Sequence, residues 1–182
     1  MITEGDNIPM HKILIIGNPG AGKSTFSIAL GKLLDLPVIH LDYHFWNSGW
    51  IETDKEIWKE RVKELMAGER WIIDGYYRTT LDLRIPAADT IFVFDFPTLL
   101  CLWRALKRNM MNRKKVRPDM APGCAERIDF EFYKWIWNFR KDNRPYIFKM
   151  LEKYAAGKKI TIFKKSSEVA RFLEQLSYKS NR

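Results

Sequence analysis

Five short apolar runs recur along the chain, each unbroken rather than alternating: residues 12–16, 37–41, 70–74, 90–95 and 159–163. Unbroken runs of this length mark strands buried on both faces, as in a parallel sheet covered by helices. Between them lie stretches of helical period. Residues 25–34 form one. Residues 54–67 form a second, with Thr53 or Asp54 as cap and Ile57, Val62 and Leu65 as its apolar side. Others are predicted over 98–111 and over 166–177, beginning at Ser166 or Ser167. Strands alternating with helices in this way indicate a three-layer α/β fold around a five-stranded parallel sheet, with its ligand at the C-terminal strand ends.

One stretch breaks the rhythm. Residues 112–126 carry Pro118, Pro122, Gly123 and the bases Arg113, Lys114, Lys115 and Arg117, which reads as an exposed loop. A helix over about 127–141 follows, with Phe130, Phe132, Tyr133, Trp135, Trp137 and Phe139 on more than one face, as if clasped between elements. Pro145 should kink it or begin another helix of about ten residues. The organisation expected is one domain over 1–182, with a small acceptor-binding subdomain at about 43–69 and a basic lid at about 112–140.

The turn after the first strand holds the most specific chemistry. Residues 17–25 read Gly17-Asn18-Pro19-Gly20-Ala21-Gly22-Lys23-Ser24-Thr25 and fit G-x-x-x-x-G-K-[ST] in a strand–loop–helix setting. Glycines let successive backbone N–H groups point inward at phosphate oxygens, and the helix N-terminus adds the positive end of its dipole. Lys23 would reach the β- and γ-phosphates of ATP, and the Ser24 hydroxyl would ligate Mg²⁺.

Further signals fall at predicted strand ends. Asp74-Gly75 follows the third run, where a carboxylate can hold Mg²⁺ through water, and Arg78 offers a bidentate fork to a phosphate or carboxylate. Asp95 also ends a strand, but the following Phe96-Pro97 leads straight into a helix, so it is read as fixing that loop. After the second strand, Asp42 can accept a hydrogen bond from an acceptor hydroxyl or act as its base. Tyr43, Phe45, Trp46 and Trp50 either wall a ring-shaped acceptor or pack the small subdomain. His40 and His44 have no metal-ligand partners at suitable spacing and are read as non-catalytic.

Composition and charge narrow the classes. At 182 residues and 46% hydrophobic content the chain can bury a full core, and no run of 18 apolar residues suggests a membrane span. The N-terminal Met-Ile-Thr-Glu-Gly-Asp lacks the basic stretch of a signal peptide, and Cys101 and Cys124 are two isolated thiols, so a cytoplasmic protein is expected. Net charge is +9, and residues 101–150 concentrate it, with 13 Lys and Arg against 5 Asp and Glu. Such a segment suits a nucleotide's triphosphate, or a nucleic-acid backbone. Arg104 and Arg108 share a helix face; Arg113, Arg117, Arg140 and Arg144 come from the basic loop and its return. Arginines carried on a closing lid would stabilise a transferring phosphoryl group and exclude water.

The phosphate loop, Asp42 after strand two, Asp-Gly-x-x-Arg at 74–78, Phe94-Asp95-x-Pro97, Arg104-x-x-x-Arg108 and Arg140-Lys141-Asp142-Asn143 together resemble the adenylate kinase group of nucleoside-monophosphate kinases. Over about residues 11–176, the stretches His-Leu-Asp…Phe-Trp…Trp, Trp-Ile-Ile-Asp-Gly, Arg-Pro-Asp-Met and Trp-Ile-Trp-Asn-Phe-Arg more closely resemble bacterial chains labelled DNA topology modulation proteins. The resemblance implies that Lys23 and Ser24 serve ATP and Mg²⁺, that Arg104 stacks on adenine with Lys164-Lys165-Ser166 on its other face, and that Arg108 meets the phosphates. It implies Arg78 for an acceptor's phosphate and Arg140 and Arg144 closing from the lid side. The chain departs from adenylate kinases in having no arginine soon after strand two; Arg61, late on a helix, is the only one before Arg70. That leaves room for a hydroxyl-bearing acceptor.

The expectation is thus an ATP- and Mg²⁺-dependent small-molecule phosphotransferase, monomeric or homodimeric. Lys23, Asp42, Arg108, Arg117 and Arg140 are its candidate catalytic residues, and Asp42, Trp46, Arg78 and Arg144 its acceptor contacts. Alternatives are an ATP-binding protein acting on DNA and a nucleotide-binding regulator that barely turns over.

Overall fold

The computed structural model describes residues 10–154 and 156–180. The leading segment, read above as lacking a signal peptide, lies largely outside them. The chain runs β1 (Lys12–Gly17), α1 (Lys23–Leu34), β2 (Val38–His40), α2 (Leu41–Phe45), β3 (Trp46–Asn47), β4 (Ile51–Glu52), α3 (Lys55–Leu65) and β5 (Trp71–Asp74). It continues with α4 (Leu81–Ala87), β6 (Thr90–Phe94), α5 (Thr98–Met111), α6 (Phe130–Asp142), α7 (Arg144–Tyr154), β7 (Lys159–Phe163) and α8 (Ser166–Ser180).

Five strands form one parallel sheet in the order β2-β5-β1-β6-β7. The unbroken apolar runs are explained by what covers them. Leu14, Ile16, Ile73, Ile91 and Val93 face the core shared with α3, α4 and α7, where Trp58, Val62, Leu81, Ile85 and Ile147 are buried. Their neighbours Ile13, Ile15, Ile72, Phe92 and Phe94 face the opposite core, with Phe26 of α1, Ala105 of α5 and Phe172 of α8. Phe26, Phe92, Phe94, Phe163 and Phe172 pack there ring against ring, with centroids 5.1 to 6.0 Å apart. Fully burying each such side chain is worth roughly 1.5–3 kcal/mol, so the sheet is a rigid platform for the loops at its C-terminal edge.

Local departures from the sequence reading have physical causes. Leu41 ends no strand; it begins α2 and is fully buried. The small hairpin β3–β4 has strands of only two residues each, too short for a periodic signal. α4 carries Pro86, a residue that argues against a helix, yet it sits in the last turn. Asp54 is the cap of α3, accepting from the Glu56 and Ile57 amides. The inward face of α3 is Trp58 and Val62, whereas Ile57 is exposed. α6 starts at Phe130, and α7 begins beside Pro145 and runs for 11 residues. Residues 112–126 are not a freely exposed loop: Met120, Ala121 and Cys124 are buried against Trp46 and Trp50. No helix among the described residues is long and apolar enough to cross a membrane.

Candidate active site

The turn from β1 into α1 wraps a concave backbone at the sheet edge. Gly20 has φ +78°, and a Cβ there would collide with the Cys101 carbonyl on α5. Gly22, with φ +94°, is the N-cap of α1 and supplies no side-chain cap; the first turn holds no acidic residue. The orphan amides and the positive dipole end of α1 are thereby left for an anion. The Lys23 ammonium curls back to donate to the Asn18 carbonyl at 3.1 Å. Burial lowers its pKa, opposed by the charges of Asp74 and Asp42. Asn18 in turn donates to the Ile136 carbonyl at 3.1 Å, tying the loop to α6.

Above this loop lies a cleft of about 1420 Å³. A single small-molecule pocket typically spans about 300–1,000 Å³, so the cleft has room for a nucleotide and a second molecule. One end is lined by Thr25, Ile28, Ala29, Arg104, Ser166, Val169 and Leu173. There Arg104 donates to Ser166 Oγ at 2.8 Å and lies 5.7 Å from the Phe96 ring, bringing together the side chain and the loop that the sequence places on either face of adenine.

The floor carries the candidate metal ligands. Asp74, at the end of β5 and almost fully buried, accepts from Ser27 Oγ at 2.9 Å and faces His40 Nδ1 at 2.9 Å. Burial alone would lower the His40 pKa, but the hydrogen bond and charge of Asp74 raise it. His40 was read from sequence as idle; only the pairing of β2 with β5, which sets it opposite Asp74, reveals its partner. Magnesium is held by one or two carboxylates together with substrate phosphates, and Ser24 with Asp74 is a hard-oxygen pair of that kind beside the phosphate loop. Both Asp74 oxygens are already engaged, so the fit is through water.

The opposite end is the aromatic half. Tyr77 donates to Asp42 Oδ1 at 2.6 Å. Burial pushes the Asp42 pKa up, against the Tyr77 hydrogen bond and the Lys23 charge. Phe45 packs on Trp46, Trp58 and Tyr77 with centroids 5.0, 5.1 and 4.6 Å away. Trp46 also meets Trp50 at 5.4 Å; Phe45, Trp46 and Trp50 pack together and border the cleft, whereas Tyr43 is exposed against His44 and is not in its lining. Arg78 lines the same end, its guanidinium 4.1 Å over the Tyr146 ring.

Three residues that hold this architecture escaped sequence reasoning. Arg84, on α4 and fully buried, donates to the Gly75, Tyr77 and Thr80 carbonyls and so shapes the loop bearing Tyr77 and Arg78; burial brings its pKa down to about 10. Glu126, also buried, sets one carboxylate oxygen 3.1 Å from Arg108 Nε and 2.7 Å from Arg117 Nε. These are ion pairs rather than aligned hydrogen bonds. Arg117 also pairs with Asp119 at 2.9 Å. Burial and the Arg117 charge lower the Arg108 pKa. Gly123 is the third: its carbonyl accepts from the Gly49 amide, next to Trp50 Nε1 donating to Ala125 O at 3.0 Å and Cys124 Sγ to Asn47 O at 3.2 Å. The basic segment and the β3–β4 hairpin therefore form one continuous roof.

Arg140 and Arg144 depart from the expectation that they close over ligand. Arg144 makes a bidentate pair with Asp95 at 2.9 to 3.0 Å, and Arg140 lies 4.0 Å from the same carboxylate. They line a separate, very small space with Gly17, Asn18 and Phe148 rather than the cleft. Asp95 thus fixes the start of α7 against the end of β6, rather than the Phe96-Pro97 loop that its position suggests.

The fold recurs in solved structures. A shikimate kinase from Acinetobacter baumannii in complex with shikimate aligns at a TM-score of 0.57 with 15% identity, covering 96% of each chain. A deoxyadenosine kinase from M. mycoides with bound products dCMP and dCDP aligns at 0.52 with 14% identity, covering 93% of this chain and 97% of that one. The fold is that of a P-loop kinase. No family model and no curated protein matches the chain. Residues 112–129 join α5 to α6, and Arg117, Met120, Glu126 and Asp129 of this stretch line the cleft.

Proposed function

We propose that the protein is an ATP- and Mg²⁺-dependent phosphotransferase acting on a small molecule. The observation that carries this reading is that Lys23, at the end of the phosphate loop, and Asp42, fixed by Tyr77, line one cleft. A phosphate cradle and a hydrogen-bond acceptor for a second molecule thus border the same space. The P-loop residues 17–25 would bind the triphosphate, with adenine between Arg104 and the loop at Ser166. Ser24, and Asp74 through water, would hold Mg²⁺, which neutralises charge on the phosphates when bound. Lys23, Arg108 and Arg117 would stabilise the transferring group, and Asp42 and Arg78 would position the acceptor.

The resemblance to DNA topology modulation proteins supports the same nucleotide-binding core, and a DNA partner would use the charge of residues 101–150. Against that use, Arg108 and Arg117 line the cleft, held there by Glu126 and Asp119, instead of standing on an open face. The kinase reading uses them where they stand. Incubating the full chain with Mg²⁺ and γ-labelled ATP tests it: label should move to a small molecule, and ATP hydrolysis that is stimulated only by DNA would refute it.

A further inference from the structure

We infer that the acceptor is an uncharged, ring-bearing alcohol of the nucleoside type, a planar heterocycle carrying a hydroxylated sugar, and not a phosphate ester. The inference rests on the phosphotransferase reading and names the substrate class of that site.

The charge of the cleft is divided unevenly. At the nucleotide end the partly buried Lys23 and Arg104 and the α1 N-terminus gather around the phosphate loop, whereas the cations Arg78 and Lys55 that border the other end are exposed to solvent. Toward the acceptor end the arginines of the basic segment are spoken for: Arg117 by Glu126 and Asp119, and Arg127 by Asp129 at 3.5 Å. What stands at the centre of the acceptor half is a carboxylate, Asp42, already fixed by Tyr77. A phosphomonoester dianion placed there would meet that carboxylate at close range, and like charges in a poorly solvated site repel strongly. Arg78, lying on Tyr146, and Lys55 at the start of α3 are the exposed cations of this end, and in water their attraction is screened, a weak counter to Asp42 for a dianion. A hydroxyl has the opposite preference: it donates to Asp42 and brings no charge.

The walls select the rest of the molecule. Phe45, Trp46, Trp50 and Tyr77 are half-buried rings bordering the cleft, with Met120 beneath the roof. Aromatic faces bind a planar heterocycle by stacking, with about 1–3 kcal/mol per base, and give no such advantage to a non-aromatic polyol. The reaction then balances simply. The acceptor oxygen forms a bond to the γ-phosphorus as the bond from that phosphorus to the β,γ-bridging oxygen breaks. ADP leaves, and the hydroxyl proton passes to an Asp42 carboxylate oxygen.

The test supplies γ-labelled ATP and Mg²⁺ to the full chain with purine and pyrimidine nucleosides, their 5′-monophosphates, and inositol as a polyol without an aromatic ring. Transfer to at least one nucleoside, with a kcat lowered ~10²–10⁴-fold in Asp42→Asn as expected for a lost general base, supports the inference. Label entering a monophosphate to give a diphosphate, or entering inositol alone, overturns the inference and leaves the phosphotransferase reading standing. Transfer to none of the panel by protein that calorimetry shows binding ATP overturns it as well. Failure to bind ATP at all refutes the underlying reading instead.

Discussion

Tyr77 and Asp42 meet at 2.6 Å, a phenol donating to a carboxylate that arrives from a different strand end. Tyr77 follows β5 and Asp42 sits on α2 just after β2, so the contact closes the acceptor half across the edge of the sheet. The bond lowers the Asp42 pKa against the burial that raises it.

Removing that phenol should therefore move a pH profile. An Asp42 that accepts a proton must be ionised, so kcat falls as pH drops through its raised pKa. In Tyr77→Phe the opposing hydrogen bond is gone, the pKa rises further, and the acid limb shifts to higher pH. The stability loss should be about 1.5–3 kcal/mol, the scale of a hydrogen bond to a carboxylate. A pH–rate series on both proteins checks it; an unmoved limb means Asp42 is not the group observed.

His40 and Asp74 give a stability signature. The folded His40 pKa lies above the ordinary 6.5. The fold then holds the proton more tightly than the unfolded chain does, so the pair's contribution is fully present below 6.5 and is lost as pH rises through the folded value. Melting temperature should decline across that window, and His40→Gln should flatten the decline. Parallel slopes in the two proteins would remove the linkage.

Arg84 anchors the loop after β5. Arg84→Met keeps the volume but strands the carbonyls of Gly75 and Tyr77 in a buried site. Each orphaned acceptor costs on the order of 1–3 kcal/mol, so denaturant unfolding should show a loss of a few kcal/mol. A change under 1 kcal/mol would mean the loop holds itself.

The roof gives a prediction about coupling. Gly123, with φ +80°, leaves no space for a Cβ beside Ser48. Gly123→Ala should separate the basic segment from the β3–β4 hairpin, exposing residues 112–126 to protease while the sheet core stays intact. Equal protection in both proteins would show that the two arms do not depend on each other.

Much of this was readable in the chain, and the limits follow from locality. Strand runs such as Trp71–Asp74 are continuous because both sheet faces are covered, so their pattern is unmistakable. The phosphate loop is legible because its chemistry is a property of nine consecutive residues. Long-range partners were not. His40 and Asp74 become neighbours only through β2–β5 pairing, and Glu126 reaches Arg108 and Arg117 only once the basic segment folds back on α5. Arg140 and Arg144, which the resemblance sets on the lid side, stand against Asp95 for the same reason: that contact joins segments far apart in the sequence. A buried arginine bonded to carbonyls, like Arg84, has no sequence signature.

The P-loop and its ammonium remain the centre of the account. Calorimetric titration of the folded full chain with ATP, with and without Mg²⁺, should give magnesium-dependent binding that Lys23→Ala weakens at least ~100-fold, the scale of a lost charge-assisted phosphate contact of about 3 kcal/mol. ATP heats that are absent, or unchanged in Lys23→Ala of equal helical content and melting behaviour, would contradict it.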